Sequence, residues 1–155
     1  MTFLLRMRRT FAASIVLTIA TGAGASAHVH TKPEKIVAGS TATVSFVIGH
    51  GCAGSPTTKV AIKAPSTVTK VSSVAPKGWK GTVKGGIVTF VGGPLPDTTK
   101  ALFGVTFTAP ATAGPLLFPT VQTCVKGETA WIELTPAGGK QPENPAPMVL
   151  VTAKK

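Results

Sequence analysis

Three histidines have the residue type and the spacing that metal binding requires: His28, His30 and His50. His28 directly follows ASA at residues 25–27, a small-residue pattern at which export signals are cleaved. Cleavage there would give His28 a free α-amine beside its ring Nδ1, and these two nitrogens can chelate one metal ion at neutral pH. Nitrogen donors in a tetragonal arrangement favour Cu(II). The sequence therefore predicts a Cu(II) site at His28.

The other two histidines offer alternative ways to complete such a site. His30 would be the third residue of the cleaved chain, where an amine, two backbone amides and an imidazole can form a square-planar site for Cu(II) or Ni(II). His50 lies in a glycine-flanked turn, two residues before Cys52. Without metal, His30 would be a strand-surface residue and His50 an exposed loop residue. The sequence leaves open which of them is the additional ligand.

Trp131 is unusual for its place in the alternating segment TAWIEL at residues 129–134. The alternation puts the aliphatic side chains on one face and Trp131 on the other with two polar residues. We therefore expect its indole on a polar face, next to a covering loop or a ligand, whereas Trp79 is predicted to be a turn-anchored core residue. Oxygen ligands could come from Glu34, Glu128 and Glu133. The simpler interpretation of each is a charged residue on the surface.

The first 27 residues resemble an export signal. Arg6, Arg8 and Arg9 precede an apolar run at residues 11–20, and small residues lead to the cleavage pattern. This run is shorter than the ~20 residues of a membrane span. We expect a signal peptide at residues 1–27 and one domain at residues 28–155. That domain would be periplasmic or secreted, without a transmembrane anchor.

The two cysteines, Cys52 and Cys124, are predicted to form one disulfide, because an exported chain folds in an oxidising compartment. The alternative, a dithiolate metal site, lacks the usual close cysteine spacing.

The positive charge does not indicate nucleic-acid binding. Three of the 16 basic residues lie in the signal, and the chain has 5 acidic residues, so residues 28–155 carry a net charge of +8. Their lysines are scattered singly, and neither arginine nor tyrosine follows residue 27 to contact phosphates or stack on bases. We expect a solvated basic surface that loosely favours anionic components of the cell envelope.

Short alternating segments separated by Gly/Pro-rich breaks predict an all-β domain. The breaks include Gly92-Gly93-Pro94, and residues 138–147 are predicted to be a long loop. The pattern indicates an immunoglobulin- or cupredoxin-like sandwich of about seven to eight strands. The predicted strands are residues 41–48, 58–63, 87–91, 102–108, 116–124, 129–134 and 148–152.

Several longer strings resemble the YcnI-like family of exported copper-binding proteins. They occur in order along nearly all of residues 28–155: AHV at 27–29, HGCAGSPTTK at 50–59, GGPLP at 92–96, FPTVQTC at 118–124, GETAWIE at 127–133 and PAP at 145–147.

The resemblance implies a β-sandwich that binds Cu(II) through the mature N-terminal histidine, here His28, with a tryptophan beside the metal, here Trp131. Some members use a carboxylate as a further ligand. The corresponding turn of this chain has no acidic residue, and His50 is the natural substitute. The implied function is copper trafficking or homeostasis as a copper chaperone, with another envelope copper protein as donor or acceptor.

Two other functions remain as alternatives. An amine with imidazoles resembles the copper centre of oxidative polysaccharide-cleaving enzymes, but the chain has no tyrosine to lie axially. A structural or adhesion sandwich without metal would need no histidine site. Since neither a Gly-x-Ser-x-Gly motif nor a phosphate-binding Gly-Lys loop occurs, no catalytic residue is predicted, and the protein is expected not to be an enzyme.

Overall fold

The computed structural model describes residues 28–136 and 138–155. The predicted signal peptide lies outside the described residues. Within them the chain forms twelve β-strands, more than the seven to eight predicted, and no helix, as the alternation predicts. The strands are β1 (His30–Lys32), β2 (Lys35–Val37), β3 (Thr41–Ile48), β4 (Thr57–Lys63), β5 (Thr69–Val74), β6 (Trp79–Lys84), β7 (Ile87–Leu95), β8 (Ala101–Thr108), β9 (Gly114–Leu117), β10 (Thr120–Cys124), β11 (Glu128–Trp131) and β12 (Met148–Thr152).

The strands form three sheets of an immunoglobulin-like sandwich. One sheet has the order β1-β3-β8-β5, and the second has the order β11-β10-β4-β7-β6. A small sheet, β2-β12-β9, includes the parallel pair β2 and β12. The prediction of an all-β sandwich is confirmed.

The core lies between the inner faces of the four-stranded and five-stranded sheets. Phe90 of β7 meets Phe103 of β8 with ring centroids 5.2 Å apart. Phe118, between β9 and β10, packs edge-on against Phe46 of β3 at 5.2 Å. Aromatic pairs at these separations add to the hydrophobic stabilisation from burial, and they join the two sheets across the core.

The structure differs from the sequence prediction in the number and limits of the strands. β5 and β6, which the prediction lacks, alternate mainly serine, threonine, lysine and glycine with few apolar residues. The predicted strand 116–124 is two strands, β9 and β10, which pair in different sheets on either side of Phe118 and Pro119.

The predicted turn Gly92-Gly93-Pro94 is instead the continuation of β7. Gly92 pairs with Trp79 of β6, and a Cβ on Gly92 would lie 2.8 Å from Trp79 Cγ. Gly92 therefore does not end the strand. Its missing side chain leaves room for the Trp79 indole to pack against β7.

Candidate metal centre

Trp131 lies at the end of β11, an edge strand of the five-stranded sheet, and its side chain is only 2% exposed. It pairs with Thr120, which is also buried, so both side chains point into the sandwich. Ile132 and Leu134 are 50% and 67% exposed. The prediction that Trp131 occupies the polar face was therefore wrong, because in this segment the tryptophan, not the aliphatic side chains, faces the core.

Two of the three histidines contact the indole of Trp131. The His28 ring centroid lies 6.2 Å from the Trp131 centroid at an interplanar angle of 75°. The His50 centroid lies 6.0 Å away at 71°. Both histidine side chains are half-buried. The structure thus places His28, His50 and Trp131, which are far apart in sequence, at one end of the sandwich.

Strand register explains why His28 lies close to the turn that carries His50. β1 pairs antiparallel with β3, and His30 is opposite Val47. Continuing this register by two residues places His28 opposite Gly49, the first residue after β3 and the neighbour of His50. Val29 is buried and anchors the segment between His28 and β1. The pairing of a short first strand therefore determines the position of His28.

Hydrogen bonds orient the His50 ring and its turn. His50 Nδ1 lies 2.6 Å from the Gly51 carbonyl oxygen. Because a carbonyl oxygen can only accept, Nδ1 donates the hydrogen bond, and the neutral ring carries its lone pair on Nε2. The Gly51 N–H donates to Asp97 Oδ1 at 2.8 Å. Asp97 follows β7, so a carboxylate distant in sequence supports this turn.

Gly51 is required by a close approach within the same turn. A Cβ on this residue would lie 1.9 Å from the Ser55 carbonyl oxygen, which accepts from the Cys52 N–H at 3.0 Å. Any side chain at residue 51 would therefore force the turn that carries His50 to open.

Gln122 of β10 connects the turn to the tryptophan and is fully buried. Its Nε2 donates to the His50 carbonyl oxygen and to Thr57 Oγ1, each at 2.7 Å. Its Oε1 accepts from Trp131 Nε1 at 3.1 Å. Both amide hydrogens and the amide oxygen of Gln122 therefore have partners, as buried polar groups require.

Sequence reasoning did not identify Gln122 or Asp97. For Gln122 a signal exists: in β10 it alternates in phase with Cys124, which is predicted to be buried in a disulfide. A polar residue at an inward position needs buried partners. Nothing in the sequence indicates that Asp97 reaches Gly51, because this contact depends on a separation of 46 residues.

The predicted disulfide between Cys52 and Cys124 is present, with Cα atoms 6.0 Å apart and 72 residues of separation. It joins the turn after His50 to β10, the strand that carries Gln122. The bridge therefore restrains the two segments that hold His50 and Trp131 in contact.

His30 occupies a different position from His28. It is exposed in β1, whereas the next residue, Thr31, is buried and donates to the Met148 carbonyl oxygen at 2.7 Å. His28, His30 and Glu34 line a groove of about 750 Å³. The groove runs between β1, the small sheet and the segment that follows β11.

The other two glutamates make contacts of their own. Glu128 Oε2 accepts from Thr123 Oγ1 at 3.3 Å, and Glu133 Oε2 accepts from the Asn144 N–H at 2.5 Å. Over residues 28–136 and 138–155, no three side chains of the His, Cys, Asp and Glu types are grouped as a metal site would need. Among the described side chains, His28 and His50 thus share Trp131 as a neighbour without forming part of a larger ligand group.

Trp79 is at the opposite edge of the five-stranded sheet, in β6. The backbone N–H of Trp79 donates to the Pro76 carbonyl oxygen at 3.0 Å, and the indole packs edge-on against Phe103 with ring centroids 4.9 Å apart. It is half-buried and contacts the core. The predicted turn anchoring agrees with this hydrogen bond, whereas the indole packs on the margin of the core and is not buried within it.

Among models of known families, one matches most of the chain. Residues 28–88 and 81–151 match the family described as "Domain of unknown function (DUF1775)". The chain belongs to this family. It is the domain found in YcnI-like proteins, so the resemblance in the sequence is confirmed at that level. A search of curated proteins gives no significant match.

Solved structures share the fold at low sequence identity. An uncharacterized protein from Nocardia farcinica, described as having an immunoglobulin-like fold, is 23% identical with a TM-score of 0.70, and the match covers 81% of this chain and 99% of that one. A type I cohesin from Pseudobacteroides cellulosolvens is 11% identical with a TM-score of 0.49, covering 83% and 93%. The first of these supports the immunoglobulin-like sandwich and nothing beyond the fold.

The described part of the chain also contains no helix that is long and apolar enough to cross a membrane.

Proposed function

We propose that this protein binds Cu(II) as cargo in the cell envelope and holds it for transfer to, or from, another envelope copper protein. The ion is bound by the α-amine and imidazole of His28, exposed by removal of residues 1–27, with His50 as the additional ligand and Trp131 beside it. The observation that carries the proposal is that the rings of His28 and His50 both lie edge-on against Trp131, at 6.2 and 6.0 Å. The protein acts by binding and transfer, not as an enzyme.

The donor chemistry fits Cu(II). Imidazole and amine nitrogens suit this ion, which also heads the affinity order of the divalent first-row metals. The hydrogen bond from His50 Nδ1 to Gly51 leaves the lone pair on Nε2, the nitrogen that a metal would use. Such an outer hydrogen bond fixes the tautomer and orientation of a ligating histidine.

The surroundings of the two histidines favour a preformed site. The disulfide, Gln122 and Asp97 restrain the His50 turn through covalent and hydrogen bonds. The buried indole of Trp131 gives both imidazoles a fixed apolar neighbour. A site whose supporting residues are already in place loses little conformational entropy when the ion binds.

The first experiment tests the amine. We expect a chain that begins at His28 to bind one Cu(II) tightly, and a chain with one alanine added before His28 to bind at least about a hundredfold more weakly, since the amine is then an amide. Isothermal titration against a competing chelator measures both affinities. Equal affinity of the two chains would disprove the proposed ligand set.

The second experiment identifies the imidazoles by electron paramagnetic resonance of the Cu(II) form. His28→Ala and His50→Ala should each remove nitrogen couplings, whereas His30→Ala, the matched control in the exposed strand position, should leave the spectrum unchanged. A spectrum that changes with His30→Ala and not with His50→Ala would show that His30 is the ligand in place of His50.

The third experiment locates the ion relative to the two tryptophans. Bound Cu(II) quenches the fluorescence of an adjacent indole. Emission of the Trp79→Phe variant, which retains Trp131, should fall strongly when copper is added, and emission of Trp131→Phe should change little. Equal quenching in both variants would place the ion away from Trp131.

A further inference from the structure

The outer face of the five-stranded sheet carries lysines in a regular arrangement across its last three strands. Strand register aligns Lys59 of β4 with Val91 of β7 and Lys80 of β6. Four residues along, it aligns Lys63 with Ile87 and Lys84. We name this set of six side chains the lysine face.

The geometry of a β-sheet fixes the spacing of these charges. Strands are about 4.8 Å apart, so lysines two strands apart have Cα atoms separated by about 10 Å. Residues four apart on one strand are separated by about 13 Å. The four ammonium groups therefore surround a central area formed by β7, and their long side chains can extend to one common plane.

One exposed apolar side chain lies between the two lysines of each row of the lysine face. Val91 is 55% exposed and Ile87 is 42% exposed, and both point away from the core that Val88 and Phe90 fill. Between the two rows, Ala61, Thr89 and Thr82 are aligned and carry no charge. Each row therefore presents one exposed apolar side chain between two ammonium groups.

The charge of the lysine face is uncompensated on its own strands. β4, β6 and β7 contain no aspartate or glutamate. The nearest carboxylate by register is Glu128 of β11, two strands from Lys59, where it accepts a hydrogen bond from Thr123. The face is therefore complementary to an extended anionic surface.

We propose that the lysine face binds the surface of an anionic phospholipid bilayer. An open sheet face offers four cations to one plane, and a bilayer surface presents many phosphates in a plane. Val91 and Ile87 can then insert between the headgroups. A soluble polyanion has no apolar region to receive them. The candidate metal centre is at the β11 edge of the same sheet, so the proposal is independent of copper binding.

Vesicle co-sedimentation of the exported and processed protein tests this proposal. We expect binding to vesicles of phosphatidylcholine with phosphatidylglycerol, and little binding to phosphatidylcholine alone. Each lysine near an anionic surface contributes about fivefold in affinity. The variant K59Q/K63Q/K80Q/K84Q should therefore bind roughly 600-fold more weakly. Raising the ionic strength to about 0.5 M should weaken wild-type binding, because the charges are screened.

A second quadruple variant controls for net charge. K32Q/K35Q/K140Q/K154Q removes the same charge from exposed lysines outside the lysine face, and it should retain most of the affinity. An equal loss in both quadruple variants would overturn the proposal, since net charge alone would then explain binding. So would wild-type protein that binds soluble polyphosphate but no anionic vesicles.

A double variant tests the two exposed apolar side chains. V91S/I87S keeps all lysines and should lower vesicle affinity while leaving binding to polyphosphate unchanged. Unchanged vesicle affinity in this variant would contradict the insertion of the apolar side chains. Circular dichroism spectra that match wild type show that each variant is folded.

Discussion

The two tryptophans occupy opposite edges of one sheet and have different surroundings. Trp79, in β6, is half-buried and packs against Phe103 and the glycine of the neighbouring strand. Trp131, in β11, is buried, its Nε1–H donates to Gln122 Oε1, and the rings of His28 and His50 contact its indole edge-on. One indole completes an apolar core. The other joins that core to a polar network.

This difference shows which edge of the sheet can hold polar side chains next to the core. Polar groups inside a sandwich are tolerated only when each one has a partner. At the Trp131 edge, Gln122 and Thr57 meet this condition, so the end of the core can hold histidines in fixed orientations. At the Trp79 edge the inner face is apolar, and the exposed lysines of the lysine face lie on the outer one.

The two tryptophans should differ most in what their removal costs in stability. Trp131→Ala should lower the free energy of unfolding by about 5 kcal/mol, since it opens a cavity and leaves Gln122 Oε1 without its donor. Trp79→Ala, at the half-exposed edge, should cost about 2 kcal/mol. Urea denaturation measures both values. A larger cost for Trp79→Ala would contradict the burial difference between the two edges.

Removal of the disulfide should lower the stability of the whole domain and loosen the Trp131 edge further. For a loop of 72 residues, chain entropy predicts a cost of about 4 kcal/mol for the variant C52A/C124A. Amide hydrogen exchange should increase most in β10 and in the His50 turn, and least in β6. Uniform acceleration in both edges would show that the bridge stabilises the whole domain and not this region in particular.

Loss of the Gln122 hydrogen bonds should have a smaller effect on stability. Gln122→Met keeps the side-chain length but leaves the His50 carbonyl, the Trp131 N–H and the Thr57 hydroxyl without this partner. We expect a loss of about 3 kcal/mol in the free energy of unfolding. The near-ultraviolet circular dichroism of Trp131 should also change. The control Thr82→Val, in the exposed part of β6, should be within about 0.5 kcal/mol of wild type.

Much of the fold was predictable from alternation. Residues 41–48 and 102–108 form adjacent strands whose inward side chains follow the predicted phase. The weakly patterned strands were not predictable in this way. β5 and β6 pair through their backbones at the edges of their sheets, and edge strands bury too little surface to require a clear apolar face.

The candidate metal centre was predictable in part. The histidines and Trp131 were identified from residue type and spacing, and the contacts of His28 and His50 with Trp131 agree with that choice. The face of Trp131 was predicted wrongly. A period of two defines two faces, but it does not determine which is buried when both carry apolar side chains.

The sequence alone was enough to predict the all-β class and the pairing of the two cysteines, and it singled out the histidines and Trp131, because alternation, a lone cysteine pair and side-chain chemistry are local properties. Tertiary structure decided the inward face of β11, the contacts of Gln122 and Asp97, and the alignment of the lysine face. Each of these depends on strand register between segments far apart in the chain. Register results from packing of the whole core, so no local pattern specifies it.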